Sequence, residues 1–214
     1  MTILGARVTI ELVRSVTIAV FVVATVAFAS AGQARSTKEP TYTAADFPRI
    51  LAVKFKPFSA PDEEGTGPIT LADLRDSTVP GNKVFVDKLR KAGFQRGYTK
   101  SWSAGIAFAQ AFAFGSAPGA HAALRAFQTY DRPSSLALWG RSAERVPAKG
   151  LGQEAWGAKQ NDASGLIGAH YYWRRGNLVL AAYIECENGC DFAVRAARVY
   201  ANAIDARAKQ AGTR

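Results

Sequence analysis

The stretch that most constrains this chain is Ile167 to Glu185, IGAHYYWRRGNLVLAAYIE. Two strand-like runs flank Gly176-Asn177, a dipeptide that closes tight hairpins, with glycine first as a type II′ turn requires. That turn sets a register. Arg175 faces Leu178, Trp173 faces Leu180, Tyr171 faces Ala182 and Ala169 faces Ile184. Side chains alternate across a strand, so these pairs share one face, apolar except for Arg175 beside the turn. The opposite face pairs Arg174 with Val179, Tyr172 with Ala181 and His170 with Tyr183. One side reads as core, and the other mixes aromatic and basic groups.

The chain before the hairpin supplies elements that pack on it. Asn82 caps a helix running to about Ala92, with Phe85, Leu89 and Ala92 on one face and Gly93 just past its end. Phe94 to Trp102 reads as a strand with Phe94, Tyr98 and Trp102 on one side. In Ile106 to Phe114, Ile106, Phe108, Phe112 and Phe114 point one way, and alanines 107, 109, 111 and 113 point the other. Such an alanine face lets a helix or another backbone approach closely. Ser116 caps a helix with Pro118 in its first turn. Its buried stripe is Ala120, Ala123, Leu124 and Phe127, and His121, Arg125 and Gln128 face outward. Ser134 to Gly152 reads as an irregular connection, with Leu136, Leu138 and Trp139 tucked under the domain. Ala155 to Gln160 reads as a strand. A last helix, capped by Asp191, carries Phe192, Ala196, Val199 and Ala203 as its stripe and Arg195, Arg198, Asn202 and Asp205 on its wet side. These elements predict an α+β fold: an antiparallel sheet with helices packed on it, in a single-domain sandwich.

The N-terminus points to export. Arg7 and Arg14 precede an uncharged apolar run of 14 residues, Val16 to Ala29, and Ala29-Ser30-Ala31 follows as an A-x-A cleavage pattern. Residues 1–34 therefore read as a secretory signal peptide. Kept uncleaved, residues 15–31 would act as a membrane anchor, although a spanning helix wants about 20 apolar residues. The expected location is secreted or extracytoplasmic. Residues 35–68 read as a linker with a short edge strand at Ile50 to Phe58, then a loop from Ser59 to Pro68 (SAPDEEGTGP). The α+β domain is expected over 69–210.

The net charge is +10. It favours anionic partners, whether cell-wall polymers, phospholipid head groups or nucleic acid, or it serves solubility alone. The basic residues are spread along the chain rather than gathered in a stripe, which argues against nucleic acid. Membrane contact is expected only through an uncleaved N-terminal segment.

Cys186 and Cys190 are the only cysteines. In an oxidising compartment they read as a disulfide whose short loop contributes ~2 kcal/mol by chain entropy. A redox pair would more often be C-x-x-C. Glu185, Glu187 and Asp191 fit acidic stabilisation of a helix N-terminus better than a metal site. Gly150 to Ala155 matches G-x-G-x-x-A, but without the strand, helix and acidic residue that a dinucleotide site needs. No G-x-S-x-G elbow occurs. The sequence thus assigns no catalytic residue, no metal and no cofactor. The best binding candidate is the face carrying His170, Tyr172, Arg174 and Tyr183, where stacking rings and a fixed cation suit a carbohydrate, an anionic polymer or a protein. The competing reading is burial of that face under a helix or the long connection.

Several short patterns carry a resemblance. They are Gly93-Phe94 with Gly97-Tyr98, Phe114-Gly115-Ser116 with Gly119-Ala120, Val146-Pro147 with Leu151-Gly152 and Glu154-Ala155, and Trp173 to Asn177. Over about residues 80–205 the chain resembles the small exported α+β domains of lipoproteins and extracytoplasmic sensor proteins of high-GC Gram-positive bacteria, some of them similar to the PsbP/Mog1-like sandwich. No cysteine sits near the cleavage region for lipid attachment. The resemblance implies a noncatalytic binding, sensing or surface role and transfers no catalytic residue. The leading expectation is an exported domain that binds a cell-envelope ligand or protein partner. The alternatives are an extracytoplasmic hydrolase acting on a wall polymer or ester, and a membrane-anchored sensor domain.

Overall fold

In the computed structural model, β1 (Pro61–Ile69), β2 (Phe94–Trp102), β3 (Ala107–Phe114), β4 (Ser142–Arg145), β5 (Glu154–Asp162), β6 (Gly165–Arg175) and β7 (Leu178–Glu185) form one sheet. Its order is β1-β2-β3-β7-β6-β5-β4, and every neighbouring pair is antiparallel. The helices are α1 (Phe47–Ile50), entered through a 3-10 turn at Ala44–Asp46, α2 (Leu71–Asp76), α3 (Asn82–Lys91), α4 (Ala117–Tyr130) and α5 (Phe192–Gly212). The structure describes residues 39–54, 61–76, 82–102, 107–130, 142–162, 165–185 and 192–212. All of these lie in one unit, Thr37–Arg214. The antiparallel α+β architecture is the one expected.

The central hairpin has the register that its turn dictates, from Arg175 opposite Leu178 to Ala169 opposite Ile184. Gly176 sits at φ 56°, a left-handed conformation open to glycine at no steric cost. Both faces of β7 are covered, which explains why LVLAAYI reads as a continuous apolar run and not as an alternating one. On one face, Trp173, Leu178, Leu180, Ile184 and the alanines of β3 pack against α1 and α5. On the other, Phe112, Phe114 and Val179 pack against α3 and α4. Ser116 caps α4 as expected, accepting the Gly119 N–H at 3.1 Å, and Ala120, Ala123, Leu124 and Phe127 are buried.

Four expectations fail, each for a physical reason. The loop expected at Ser59 to Pro68 is largely β1, an edge strand held by backbone pairing to β2 with a register shift between Asp62 and Gly67. Its turn-like composition is tolerated because the strand has a neighbour on one side only, where proline and bulges are allowed. The edge strand expected at Ile50 to Phe58 is not formed over its described part: Ile50 ends α1, and Leu51 and Val53 are buried after it. Residues 55–60 lie outside the described residues. The connection before β5 contains a further strand, β4, whose Glu144 pairs with Lys159 at 2.8 Å; Leu136, Leu138 and Trp139 lie outside the described residues. Finally, α5 is rotated from its expected stripe. Phe192 and Val199 are 50% and 59% exposed, while Ala193, Ala197, Tyr200, Ala201, Ile204, Asp205 and Ala208 are buried. Small residues win that face because it lies against the alanine side of β3.

β2 also departs from simple alternation. A bulge between Phe94 and Arg96 sends Phe94 to the α3–α4 side, whereas Tyr98 and Trp102 stay on the α5 side. Bulges re-aim side chains in this way.

Candidate functional site

The four residues of the expected binding face do come together, but mostly inside the protein. His170 is 2% exposed, Arg174 7% and Tyr183 9%, with Tyr172 half-buried. They belong to a row of rings crossing four strands. Phe108 stacks on Tyr183 at 4.6 Å, Trp156 lies 4.9 Å from His170, and Tyr172 stacks on Phe127 of α4 at 4.9 Å. The apolar stripe of α4 lands on this side of the sheet, so the rings serve as packing. The expectation of an accessible aromatic-basic face does not hold for His170, Arg174 and Tyr183. Burial pushes the His170 pKa from 6.5 down to about 3, so the imidazole stays neutral.

Arg174 is committed to internal partners. Its Nε donates to Glu154 Oε1 at 2.8 Å, and its two terminal nitrogens reach both oxygens of Glu39 at 2.6 and 3.2 Å. It also donates to the Gly176 carbonyl at 3.2 Å. The second Glu154 oxygen lies 2.5 Å from His121 Nδ1. Desolvation raises the Glu154 pKa, but the hydrogen bonds and charges of His121 and Arg174 outweigh it and hold the carboxyl below its usual range. His121, expected as a solvated helix residue, thus shares Glu154 with Arg174 at the mouth of this network.

The segment around Glu39, expected as linker, is tied into the hairpin. Asn177 Oδ1 accepts the Tyr42 N–H at 2.7 Å, and its Nδ2 donates to the carbonyls of Tyr42 and Phe114 at 3.0 and 2.9 Å. The Tyr42 hydroxyl donates to the Ala208 carbonyl in α5 at 2.9 Å. A side chain at Gly176 would meet the Pro40 carbonyl. Nearby, Arg175 makes a two-pronged pair with the buried Asp205, 2.8 Å at each contact. Asn177 reads from sequence as a turn residue, and its clamping role has no sequence signal.

A cavity of ≈ 660 Å³ opens at the β1 end of the sheet. Three pieces of chain make it. Ala44, Phe47 and Pro48 come from the N-terminal turn and α1; Pro68 to Leu71 join β1 to α2; Phe94 to Tyr98 span the β2 bulge. Its walls are mainly apolar. Of its polar groups, Thr70 is engaged in capping α2, its N–H and hydroxyl both donating to Asp73 Oδ2 at 2.7 and 2.8 Å. Arg96 is exposed, and among the described residues no carboxylate pairs with it. Sequence reading missed this site because its lining is drawn from three separate segments, two of them expected as linker and loop.

Cys186, Cys190, Glu187 and Asp191 lie outside the described residues, as do residues 1–38 with the export pattern and the apolar run. Among the described residues no helix is long and apolar enough to cross a membrane. No protein-family model matches the chain, and no curated protein matches it. Among solved structures it is similar to the extracellular domain of PknH from Mycobacterium tuberculosis, at 9% identity and a TM-score of 0.38 over 79% of this chain and 93% of that one. A likeness at that level carries no inference about fold or function.

Proposed function

We propose that this chain is an exported, noncatalytic binding domain that holds a cell-envelope ligand in the cavity between α1, α2 and the β1–β2 edge. The observation that carries the reading is the cavity itself. Its ≈ 660 Å³ falls in the range of small-molecule sites, and it joins an apolar lining to a few polar groups at one side. The N-terminal charged, apolar and small-residue order supports export. The former binding candidates, His170, Tyr172, Arg174 and Tyr183, act as the scaffold.

The test is thermal unfolding of the secreted protein with fractionated envelope extracts, beside a Leu71→Trp variant that fills the cavity. A ligand at a hundred times its Kd adds ~2.7 kcal/mol and so about 5–10 °C to Tm. The expected outcome is a shift with a lipid-soluble or wall fraction in the native chain and none in the folded variant. Equal shifts in both would move the ligand elsewhere.

The hydrolase reading draws on one observation, the 2.5 Å His121–Glu154 contact, which orients an imidazole at the surface. A His121→Ala variant separates it: loss of ester or wall-polymer turnover would favour the enzyme over the binding domain.

A further inference from the structure

We infer that the ligand of this cavity is an anionic amphiphile, an alkyl or similar apolar chain ending in a carboxylate or phosphate, with its head on Arg96 and its tail among Phe47, Pro48, Ile69 and Leu71. The inference rests on the cavity reading above and adds the ligand's chemistry. Two features set it. The first is the lining. Proline, isoleucine, leucine and phenylalanine side chains offer no hydrogen bonds, and the Thr70 hydroxyl is already engaged by Asp73, which leaves the Gln95 amide and the Tyr98 hydroxyl as the other polar side-chain groups beside Arg96. A polyhydroxylated body such as a sugar would leave its own polar groups unmatched there, at a desolvation cost of about 1–3 kcal/mol for each. A hydrocarbon body has no such cost.

The second feature is Arg96. The β2 bulge falls immediately before it, and Arg96 shares a strand face with Tyr98, on the side closed by α1. Four other arginines are spent on carboxylates, Arg49 on Asp46, Arg90 on Asp87, Arg174 on Glu39 and Glu154, and Arg175 on Asp205, and Arg198 and Arg207 donate to backbone carbonyls; Arg96 is the arginine that lines the cavity. Arg96 has no such partner among the described residues. A planar guanidinium beside an apolar recess recognises a carboxylate or phosphate through paired, charge-assisted hydrogen bonds. Two acids flank the lining in sequence, and both have partners of their own: Asp46, next to Phe47, accepts the Thr43 N–H at 2.9 Å and pairs with Arg49 at 2.7 Å, and Asp73 is turned into its own helix cap.

Titration calorimetry on the full chain tests this with decanoate, decyl phosphate and the neutral 1-decanol, below their aggregation concentrations. Both anions are expected to bind at least about ten-fold tighter than decanol. Arg96→Gln should bring all three to similar affinity, with Tm unchanged because the side chain is exposed. Leu71→Trp should weaken all three together. The tighter of the two anions identifies the head group. Equal binding of anions and decanol, or an anion preference that survives Arg96→Gln, overturns the anionic assignment and leaves the cavity reading standing. Absence of binding by all three, decanol included, overturns the cavity reading as well.

Discussion

At His170 a sequence that looks like chemistry has been used for packing. The ring sits among Trp156, Tyr172 and Tyr183, and its pKa falls from 6.5 to about 3 through burial. The unfolded chain therefore takes up a proton that the native chain refuses, and stability rises with pH across that interval. The contribution is whole above the unfolded value and is lost as pH falls toward the folded one. Unfolding free energy should drop below pH ~6.5 by up to about 1.4 kcal/mol per pH unit, and His170→Phe should flatten that slope. Urea unfolding of both proteins at several pH values checks it. An unchanged slope in the variant would mean that other groups govern the acid limb. The pairing of His170 with Tyr183 was legible because the Gly-Asn turn fixes parity. Which side of the hairpin met water was not, because that depends on where α4 lands.

At the scale of elements, α5 shows how size misleads. Phe192 and Val199 are the larger apolar residues, so a stripe through them looks natural, yet both are exposed. The buried positions are mostly alanine, chosen by the distance at which the helix lies from the sheet. Ala197→Leu should overpack this contact and cost about 1–3 kcal/mol. Val199→Ser should stay within about 0.5 kcal/mol of the native protein. Denaturant midpoints of the two variants decide between the stripes, and the reverse ranking would restore the one expected from sequence. β1 was illegible for a different reason: its pairing uses backbone groups, and its proline and glycine content reads as turn. The alanine side of β3 was the one clear sign of a close approach, by a helix or by another backbone, and the helix is what the structure places there.

For the whole molecule, the earliest described residues and the last helix are joined. Tyr42 bonds to Asn177 and Ala208, and Phe47 and Ile50 share a core with Tyr200 and Ile204. A chain stopped after Glu185 lacks α5 and exposes the side of the sheet carrying Trp102 and Trp173. It should be cut rapidly by protease where the full chain resists, and a resistant core in the shortened chain would show that the sheet stands without α5. Neither the cavity nor this N-terminal attachment was legible in the sequence, because each joins segments that read separately as linker, loop and strand.

The clamp that Asn177 places on Tyr42 also sets a timetable. The two residues are 135 positions apart, and the Tyr42 hydroxyl waits for Ala208, 166 positions later. Synthesis runs from the N-terminus, so the first residues of the domain to leave the ribosome find their partners only when its last are made. Contacts of such long separation close slowly and late. Until then Tyr42 has neither of these partners, and the N-terminal edge of the core waits for the C-terminal helix to close it.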